Sequence, residues 1–400
     1  MAVCGKIDVQ AKPLKTGDIL KFQVNRDALS EAVSFAVRML PQKKTLPILN
    51  AILIEADANA IRLSVYDHEV SARVEIVAKV ETSGRALVSG RLMSDITSKL
   101  PNAPIEMSLD ANKVLVKCGQ AKFTLLTMPV EEYPNLPELP EASGVVSADE
   151  FESAVNQVVA AASKEDSTPQ LNGILLETED KTITMMATDR YRIAKRDLTW
   201  RADASTGSSS SLVMAKTLRE VSKSFANQGD ITIAINKTEG REMIGFKAGN
   251  RSVTSLLLKG TFPAVRGLFP DEIPNFAIVA THELIDSARR VSLVLERDDF
   301  IRFIFEDGSL TLEATGNETA QASESINAEL SGEQIALELK PQLLIDGLTG
   351  IHSEFVKVAF VRSENPNKPG PVLLSSHGSK EKTEEDNFRY LLQPRSPLAR

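Results

Sequence analysis

The chain has 400 residues, of which 42% are hydrophobic and 25% are charged, a composition typical of globular proteins with two or three domains. Its net charge of -8 and its pI near 5.3 exclude binding to nucleic acid through an overall positive charge. Cys4 and Cys118 are the only cysteines, so a disulfide framework is excluded and a reducing compartment is indicated.

The N-terminal segment, residues 1–19, is predicted to be a polar extension without the apolar run of a secretory signal. No stretch of the chain approaches 18 consecutive apolar residues, so a membrane-spanning helix is not expected. We therefore expect a cytoplasmic protein that binds no membrane.

Three strand-helix openings follow one another along the chain. Residues 19–24 predict a strand, and residues 26–40 place apolar side chains at helical spacing before Pro41 ends the helix. Equivalent openings follow at Val145 and Ile278, each with its own apolar stripe at helical spacing. Three openings at comparable intervals indicate three equivalent domains.

Each opening is followed by short alternating strands with turn signals and then by a second strand and helix. Met93, Leu218 and Leu343 hold equivalent places in these second helices and are 125 residues apart. Residues 46–55 and 168–177 share Pro, Asn and Glu positions at an offset of 122, which indicates duplication of a structural unit. The sequence predicts an α+β fold of three repeated domains, each with two short helices over antiparallel sheet.

Proline-rich segments at 128–144 and 262–275 form the joints between the repeats. These joints place the domains at residues 20–140, 141–265 and 266–397. Two polar segments, 202–211 and 363–371, are predicted to be variable loops that carry no chemistry.

The sequence contains few signs of catalysis. Its four histidines are far apart and have no Cys or Glu at metal-ligand spacing, so neither a metal site nor a cofactor is predicted. An alternative function remains, because Asp67, Glu177 and Asp189 are carboxylates that a DNA-modifying enzyme could use. Asp67 corresponds to Asp189 by the repeat offset, but their neighbours differ in type, which favours a turn over a reaction centre.

Residues 187–193, ATDRYRI, carry the most distinctive surface chemistry. Two arginines flank a tyrosine at a strand end, and Arg and Tyr are enriched among the residues that dominate binding energy. The segment therefore favours a peptide groove, whereas a charged edge that prevents sheet pairing is the other interpretation. A scaffold that binds peptides but never DNA also stays open.

Several motifs together resemble one known family. They are TLPIL at 45–49, LNG at 171–173, ATDRYR at 187–192, FP at 262–263 and YLLQP at 390–394. Their order and spacing resemble the bacterial sliding clamps, the beta subunit of DNA polymerase III. The resemblance covers about residues 20–397, and the Arg-Tyr-Arg variant is similar to the actinobacterial branch.

The resemblance implies a head-to-tail homodimer that closes into a ring of six domains, with helices lining a hole around duplex DNA. It implies a processivity factor without catalysis, since DNA-directed DNA polymerase activity belongs to the holoenzyme. The implied partners are duplex DNA, a second copy of the chain, the replicative polymerase catalytic subunit, a clamp loader and other clamp-motif proteins. The six predicted helices carry a net charge of +2, which leaves -10 elsewhere and suits weak, sliding contacts with phosphate.

The resemblance also implies three groups of site residues. The partner groove would comprise Leu171, Thr188, Arg190, Tyr191, Arg192, Ile193, Pro263, Leu268, Leu392, Gln393, Pro394 and Arg395. The DNA contacts would be Lys43, Lys44, Lys164, Gln170 and Lys216. The dimer interface would join Phe123 and Leu125 of one copy to the region of Leu293 in the other, whereas a place for Phe123 and Leu125 in the core of their own domain is the other interpretation. The chain departs from relatives in having Gln393 and Arg395 near its end and Gln170 in place of an aromatic residue.

Overall fold

The computed structural model describes residues 20–41, 46–165, 167–203, 207–270, 272–296, 299–316, 320–361, 369–378 and 387–395. The chain divides into two compact units, one containing residues 1–140 and 245–255 and the other containing residues 141–244 and 256–400. The predicted extension at 1–19 lies outside the described residues.

The first repeat alternates short strands with two helices. Its elements are β1 (Lys21–Val24), α1 (Arg26–Arg38), β2 (Ala51–Asp57), β3 (Ala60–Tyr66), β4 (Val70–Val77), β5 (Lys79–Thr82), β6 (Gly84–Ser89), α2 (Gly90–Lys99), β7 (Ile105–Asp110), β8 (Lys113–Cys118) and β9 (Ala121–Leu126). The side chain of Asn25 caps α1 by accepting hydrogen bonds from the backbone N–H groups of Asp27 and Ala28, at 2.9 and 3.1 Å. The helix predicted at 26–40 is therefore confirmed, with an end two residues earlier.

The central repeat has the same layout. Its elements are β10 (Gly144–Ser147), α3 (Ala148–Val159), β11 (Gly173–Glu179), β12 (Thr182–Thr188), β13 (Arg192–Thr199), β14 (Arg201–Ala202), β15 (Ser209–Met214), α4 (Ala215–Phe225), β16 (Asp230–Asn236), β17 (Met243–Ala248) and β18 (Arg251–Leu256). The loop predicted at 202–211 is wrong in part, because Ser209, Ser210 and Ser211 pair with β11. Their backbone groups complete the ladder, so polar side chains did not prevent a strand.

The last repeat closes the chain in the same manner. Its elements are β19 (Phe276–Ala280), α5 (Thr281–Val291), β20 (Ile301–Glu306), β21 (Gly308–Thr315), β22 (Gln321–Ser331), β23 (Ile335–Leu339), α6 (Pro341–Thr349), β24 (Phe355–Phe360), β25 (Val372–His377) and β26 (Phe388–Leu392). Of the loop predicted at 363–371, residues 363–368 lie outside the described residues. The prediction of an α+β fold with three repeated domains is confirmed.

Neighbouring strands pair antiparallel throughout the described residues, and each compact unit is given by its own strand orders. In the first unit the strand orders are β5-β1-β7-β8-β9 and β17-β18-β4-β3-β2-β6. In the second unit, β14, β10 and β16 are hydrogen-bonded in that order, and a 12-stranded sheet has the order β15-β11-β12-β13-β26-β25-β24-β19-β22-β21-β20-β23. Because β13 pairs with β26, from Arg192 opposite Leu392 to Arg196 opposite Phe388, one continuous sheet joins the central and last repeats.

The helices of these two repeats also meet on one face of that sheet. Gln157 of α3 is buried, and its side-chain amide donates a hydrogen bond of 2.7 Å to the backbone oxygen of Gly350 after α6. The ring of Tyr390 in β26 packs beneath Gly347 of α6. Among the helices of the described residues, none is both long and apolar enough to cross a bilayer.

We expect Gly347→Ala to destabilise the protein, although alanine is the better helix former. An added Cβ would come within 2.4 Å of two ring carbons of Tyr390, which is fully buried. The overlap should cost about 1–3 kcal/mol, more than the helix propensity of about 1 kcal/mol that alanine gains.

Urea unfolding of the purified protein measures this difference. Gly267→Ala is the matched control, because no atom of the described residues lies within 4 Å of the position that an added Cβ would take there. Equal unfolding midpoints for the two variants would contradict the proposed packing of α6 on β26.

Candidate functional site

The predicted groove residues surround the adjacent ends of three strands in the second unit. Thr188 ends β12 and pairs with Ile193 near the start of β13. Arg192 pairs with Leu392, the last residue of β26. The sheet register therefore brings the motif at 187–193 and the C-terminal motif together at one sheet edge.

A tight turn connects β12 to β13. The carboxylate of Asp189 accepts hydrogen bonds from the N–H groups of Tyr191 and Arg192, at 3.1 Å each. The hydroxyl of Thr188 donates to the backbone oxygen of Arg192 at 2.7 Å and accepts from the N–H of Arg190 at 3.2 Å. These bonds hold Arg190 at a φ of 80° and leave the ring of Tyr191 62% exposed.

The guanidinium of Arg192 lies beneath this turn and is 8% exposed. It donates to Asp189 at 2.8 Å, to Asp346 of α6 at 2.6 Å and to the hydroxyl of Tyr390 at 3.0 Å. Burial lowers the pKa of Arg192, but its attraction to Tyr390, Asp346 and Asp189 outweighs burial and raises that pKa above its ordinary value. The structure thus gives Arg192 a supporting role beneath the turn, and its contact with a peptide stays a prediction.

Tyr390 completes the same network from β26. Its hydroxyl donates to the backbone oxygen of Leu343 in α6 at 2.9 Å while it accepts from Arg192. Burial raises the pKa of this phenol, and the neighbouring guanidinium offsets only part of that rise. Sequence reasoning missed the roles of Asp346 and Tyr390, since nothing in their local patterns connects them to a residue 150 or more positions earlier.

An apolar floor lies beside the turn, on the sheet face opposite α6. Its buried members are Met186, Ile193, Leu212, Phe262, Val265, Ala359, Leu373 and Leu391. Pro263 is exposed and Leu268 is 53% exposed at the margin of this floor. Leu171 and Leu392 are 4% and 2% exposed, so they support the groove from behind.

The chain end forms the second margin. The N–H of Gln393 donates to the backbone oxygen of Tyr191 at 3.0 Å, and its side-chain amide donates to the backbone oxygen of Pro369 at 3.1 Å. Pro394 is buried behind it. The departure at Gln393 therefore ties the chain end to the turn instead of adding an apolar surface.

Two cations and two aromatic rings continue this margin. The Lys340 ammonium lies 6.0 Å from the ring centroid of Tyr191 and 5.7 Å from that of Phe300. The guanidinium of Arg395 lies 4.9 Å from the same Phe300 ring. Sequence reasoning found Arg395 and Tyr191 but missed Lys340 and Phe300.

The opposite margin is formed by the short helical turn Pro169–Asn172. The guanidinium of Arg190 donates to the Thr168 hydroxyl at 2.7 Å. The amide of Gln170 packs against Gly260, where an added Cβ would lie 2.4 Å from its nitrogen. Gln170, predicted to contact DNA, is therefore half-buried at the margin of the groove.

Two further predicted DNA contacts, Lys164 and Lys216, are exposed. Lys164 follows α3, and Lys216 lies in the first turn of α4. Lys43 and Lys44 lie outside the described residues. The first turn of α3 carries Asp149 and Glu150, so this helix is acidic at its start.

The predicted dimer residues differ in exposure. In the first unit, β9 is an edge strand, on which Phe123 is 38% exposed and Leu126 is 68% exposed. Leu125 is 2% exposed, so its side chain lies in the core of its own unit and not on the surface where an interface contact was predicted. In the second unit, Leu293 is 83% exposed after α5.

The three carboxylates of the enzyme alternative all have local partners. Asp67 accepts from the N–H groups of Glu69 and Val70, and Glu177 lies 3.2 Å from the guanidinium of Arg266. Asp189 holds its own turn and Arg192. Across the described residues, no group of three or more His, Cys, Asp or Glu side chains is placed to hold a metal ion. The positions of these carboxylates fit turn and ion-pair roles.

Three family models cover most of the chain. The DNA polymerase III beta subunit N-terminal, central and C-terminal domains match residues 20–137, 145–264 and 266–381. The beta sliding clamp of Streptomyces coelicolor is 40% identical over 376 residues, covering 94% of this chain and 99% of the relative. That of Micrococcus luteus is 44% identical over 311 residues, covering 78% of this chain and all of the relative.

Solved structures show the same fold. The DNA polymerase sliding clamp of Bacillus subtilis has a TM-score of 0.85 at 24% identity, covering 95% of this chain and 100% of that one. A clamp from Pseudomonas aeruginosa bound to griselimycin has a TM-score of 0.84 at 23% identity, covering 94% of this chain and 99% of that one. Both likenesses extend over nearly the whole chain.

We expect Arg192→Ala to reduce the free energy of unfolding by about 2–4 kcal/mol, because it leaves the carboxylate of Asp346 and the phenol of Tyr390 without their buried partner. Arg192→Lys should recover only part of this loss, since an ammonium cannot reproduce the fork of a guanidinium.

Chemical denaturation monitored by circular dichroism gives both values. Arg190→Ala, which removes a neighbouring guanidinium that is exposed, is the control and should change stability by less than about 0.5 kcal/mol. A stability loss for Arg192→Ala no greater than that of the control would disprove the supporting role.

Proposed function

Because the chain belongs to the DNA polymerase III beta subunit family, we propose that the groove at the ends of β12, β13 and β26 is where it holds its protein partners. The chain is a DNA sliding clamp, an accessory subunit of replication without catalysis of its own. The DNA-modifying alternative based on Asp67, Glu177 and Asp189 is not supported, since the relatives are clamps and the three carboxylates serve turns and ion pairs.

The groove suits a short linear motif with apolar anchors. Its floor is a buried apolar cluster, and Tyr191, Pro263 and Leu268 stand exposed at its margins. A leucine or phenylalanine from a partner would pack on this floor, and groove backbone groups would orient the peptide. The exposure of Tyr191 on a rigid turn is the observation that carries the proposal, because a fixed aromatic ring loses little entropy on binding.

The partners are those of a clamp: the replicative polymerase catalytic subunit, a clamp loader and other clamp-motif proteins. The chain encircles duplex DNA without sequence preference, as a ring of two copies. We place the DNA contacts at Lys43, Lys44, Lys164, Gln170 and Lys216. We place the domain limits at residues 20–140, 141–265 and 266–397. The site of action is the bacterial cytoplasm, where the chromosome is replicated.

Two sheet edges supply the ring closure. On one side of β9 there is no strand among the described residues. In β22, residues 321–328 pair with β21, whereas β19 pairs only with residues 328–331, so half of β22 has an open edge within the described part of the chain. Head-to-tail pairing of these edges between copies would satisfy their backbone groups and cover the exposed side chains of Phe123, Leu126 and Leu293.

We expect Tyr191→Ala and Leu268→Ala each to weaken binding of a fluorescent peptide from the polymerase catalytic subunit by tenfold or more, since each removes an exposed anchor from the groove. Fluorescence anisotropy measures the change. Val77→Ala, which truncates an 84% exposed side chain in the other unit, is the control and should leave the affinity unchanged. Equal affinities of all three variants for the peptide would contradict peptide binding in this groove.

We expect a Phe123→Asp and Leu293→Asp double variant to be monomeric at micromolar concentration. In a dimer of this variant, the new carboxylates of each copy would be buried against the apolar surface of the other copy, which is unfavourable. Light scattering gives the mass. A Val77→Asp variant should remain dimeric. A dimeric double variant would place the interface elsewhere.

Retention on DNA tests the ring itself. Wild-type protein loaded on a circular plasmid should remain bound in moderate salt and should leave once the plasmid is linearised, because topology prevents escape. Retention that survives linearisation with open ends would contradict encirclement.

A further inference from the structure

A second cavity lies on the same sheet face as the apolar floor. It adjoins the covering segment, residues 262–270 and 272–274, which packs against that floor. Its volume is about 860 Å³. Its lining includes Lys195, Arg389, Ser375 and Lys357 from four strands and Pro270 and Ile273 from the covering segment. None of the exposed residues of the partner groove lines it.

The strand register places the cations in one row. Lys195 of β13 is opposite Arg389 of β26, Arg389 is opposite Ser375 of β25, and Ser375 is opposite Lys357 of β24. Residues directly opposite each other in a sheet point to the same face. The row therefore presents three positive side chains and one hydroxyl to the cavity over about 15 Å.

This row faces away from the helices. Arg192 and Tyr390 contact Asp346 and Leu343 of α6, and side chains alternate along a strand. Lys195 and Arg389 are an odd number of positions from those residues, so they lie on the other face. DNA held on the helix side would not reach this row.

The charges in the row are only partly compensated. Lys195 forms an ion pair of 2.7 Å with Asp197. Within the described residues, Arg389 donates only to the backbone oxygen of Pro270, at 3.5 Å. The ammonium of Lys357 lies 4.0 Å from the ring centroid of Phe276. Neither cation has a carboxylate of the described residues at ion-pair distance. Like charges opposite each other in a sheet are unfavourable, so a bound anion would relieve the row.

We propose that this cavity binds an acidic segment of a protein partner, with carboxylates on Arg389 and Lys357 and apolar side chains between Leu373, Ile273 and the prolines. The two cations are two strands apart, about 10 Å, a span suited to an extended peptide with two acidic residues. The apolar walls favour such a peptide over a phosphate chain, which would bring charge alone.

A direct binding measurement on the full chain tests the proposal. The probe is a fluorescein-labelled peptide of alternating glutamate and leucine, and its twin carries glutamine in place of glutamate. The acidic peptide should bind at low salt and weaken as salt rises, and the twin should bind at least fivefold more weakly. Equal binding of the two peptides, or no binding of the acidic one, overturns the proposal.

Substitutions locate the site. The double variant Arg389→Gln and Lys357→Gln should weaken binding of the acidic peptide at least fivefold. Glu272→Gln, which removes a rim carboxylate, should strengthen that binding about twofold. Lys247→Gln, an exposed lysine in the other unit, is the charge-matched control and should change nothing. Unchanged affinity for the double variant overturns the site.

Two further arms separate this site from its alternatives. Tyr191→Ala should leave acidic-peptide binding intact, so failure of the partner groove and failure of this cavity are distinguishable. The double variant Arg389→Lys and Lys357→Arg keeps both charges and should retain binding, which excludes misfolding as the cause of loss. If tripolyphosphate or a short single-stranded DNA binds here and the acidic peptide does not, the assignment to a peptide is overturned.

Discussion

The groove depends on one buried positive charge. Arg192 lies beneath the turn that presents Tyr191, and it holds Asp189 of that turn, Asp346 of α6 and the hydroxyl of Tyr390. A buried guanidinium is tolerated only while its partners remain in place. Since Arg192 comes from the central repeat and two of its partners come from the last repeat, the same charge fixes both margins of the groove relative to each other.

Because side chains alternate along β13, neighbouring residues of this strand lie on opposite faces of the sheet. Arg192 points to the helices, and its neighbour Ile193 points to the apolar floor. Two residues further, Lys195 enters the cationic row on the floor side. A shift of one residue in the pairing of β13 with β26 would move the charge into the apolar floor and the apolar side chain beneath the turn, so the groove requires this register.

The three repeats could be predicted from the sequence, because apolar periodicity and constant residue offsets can be recognised without knowledge of contacts. It also identified the turn at 187–193, since Asp, Arg and Tyr at a strand end are locally distinctive. It could not separate Arg190 from Arg192, because which arginine is buried depends on Asp346 in a helix far along the chain. For the same reason Leu125 resembled an exposed edge residue, although its side chain packs into the core of its unit.

Charge and topology explain why this chain needs closed sheet edges. A net charge of -8 opposes attraction of the whole chain to phosphate, and non-specific affinity for DNA rises with the number of phosphates neutralised. A protein with so little electrostatic affinity would leave open DNA quickly at cellular salt. Retention must therefore come from the ring, and under the proposed closure the strength of the ring comes from the apolar side chains and the strand edges that β9 and β22 leave open among the described residues. Weak contact with DNA is then useful, because it lets the ring slide while the closed edges prevent escape.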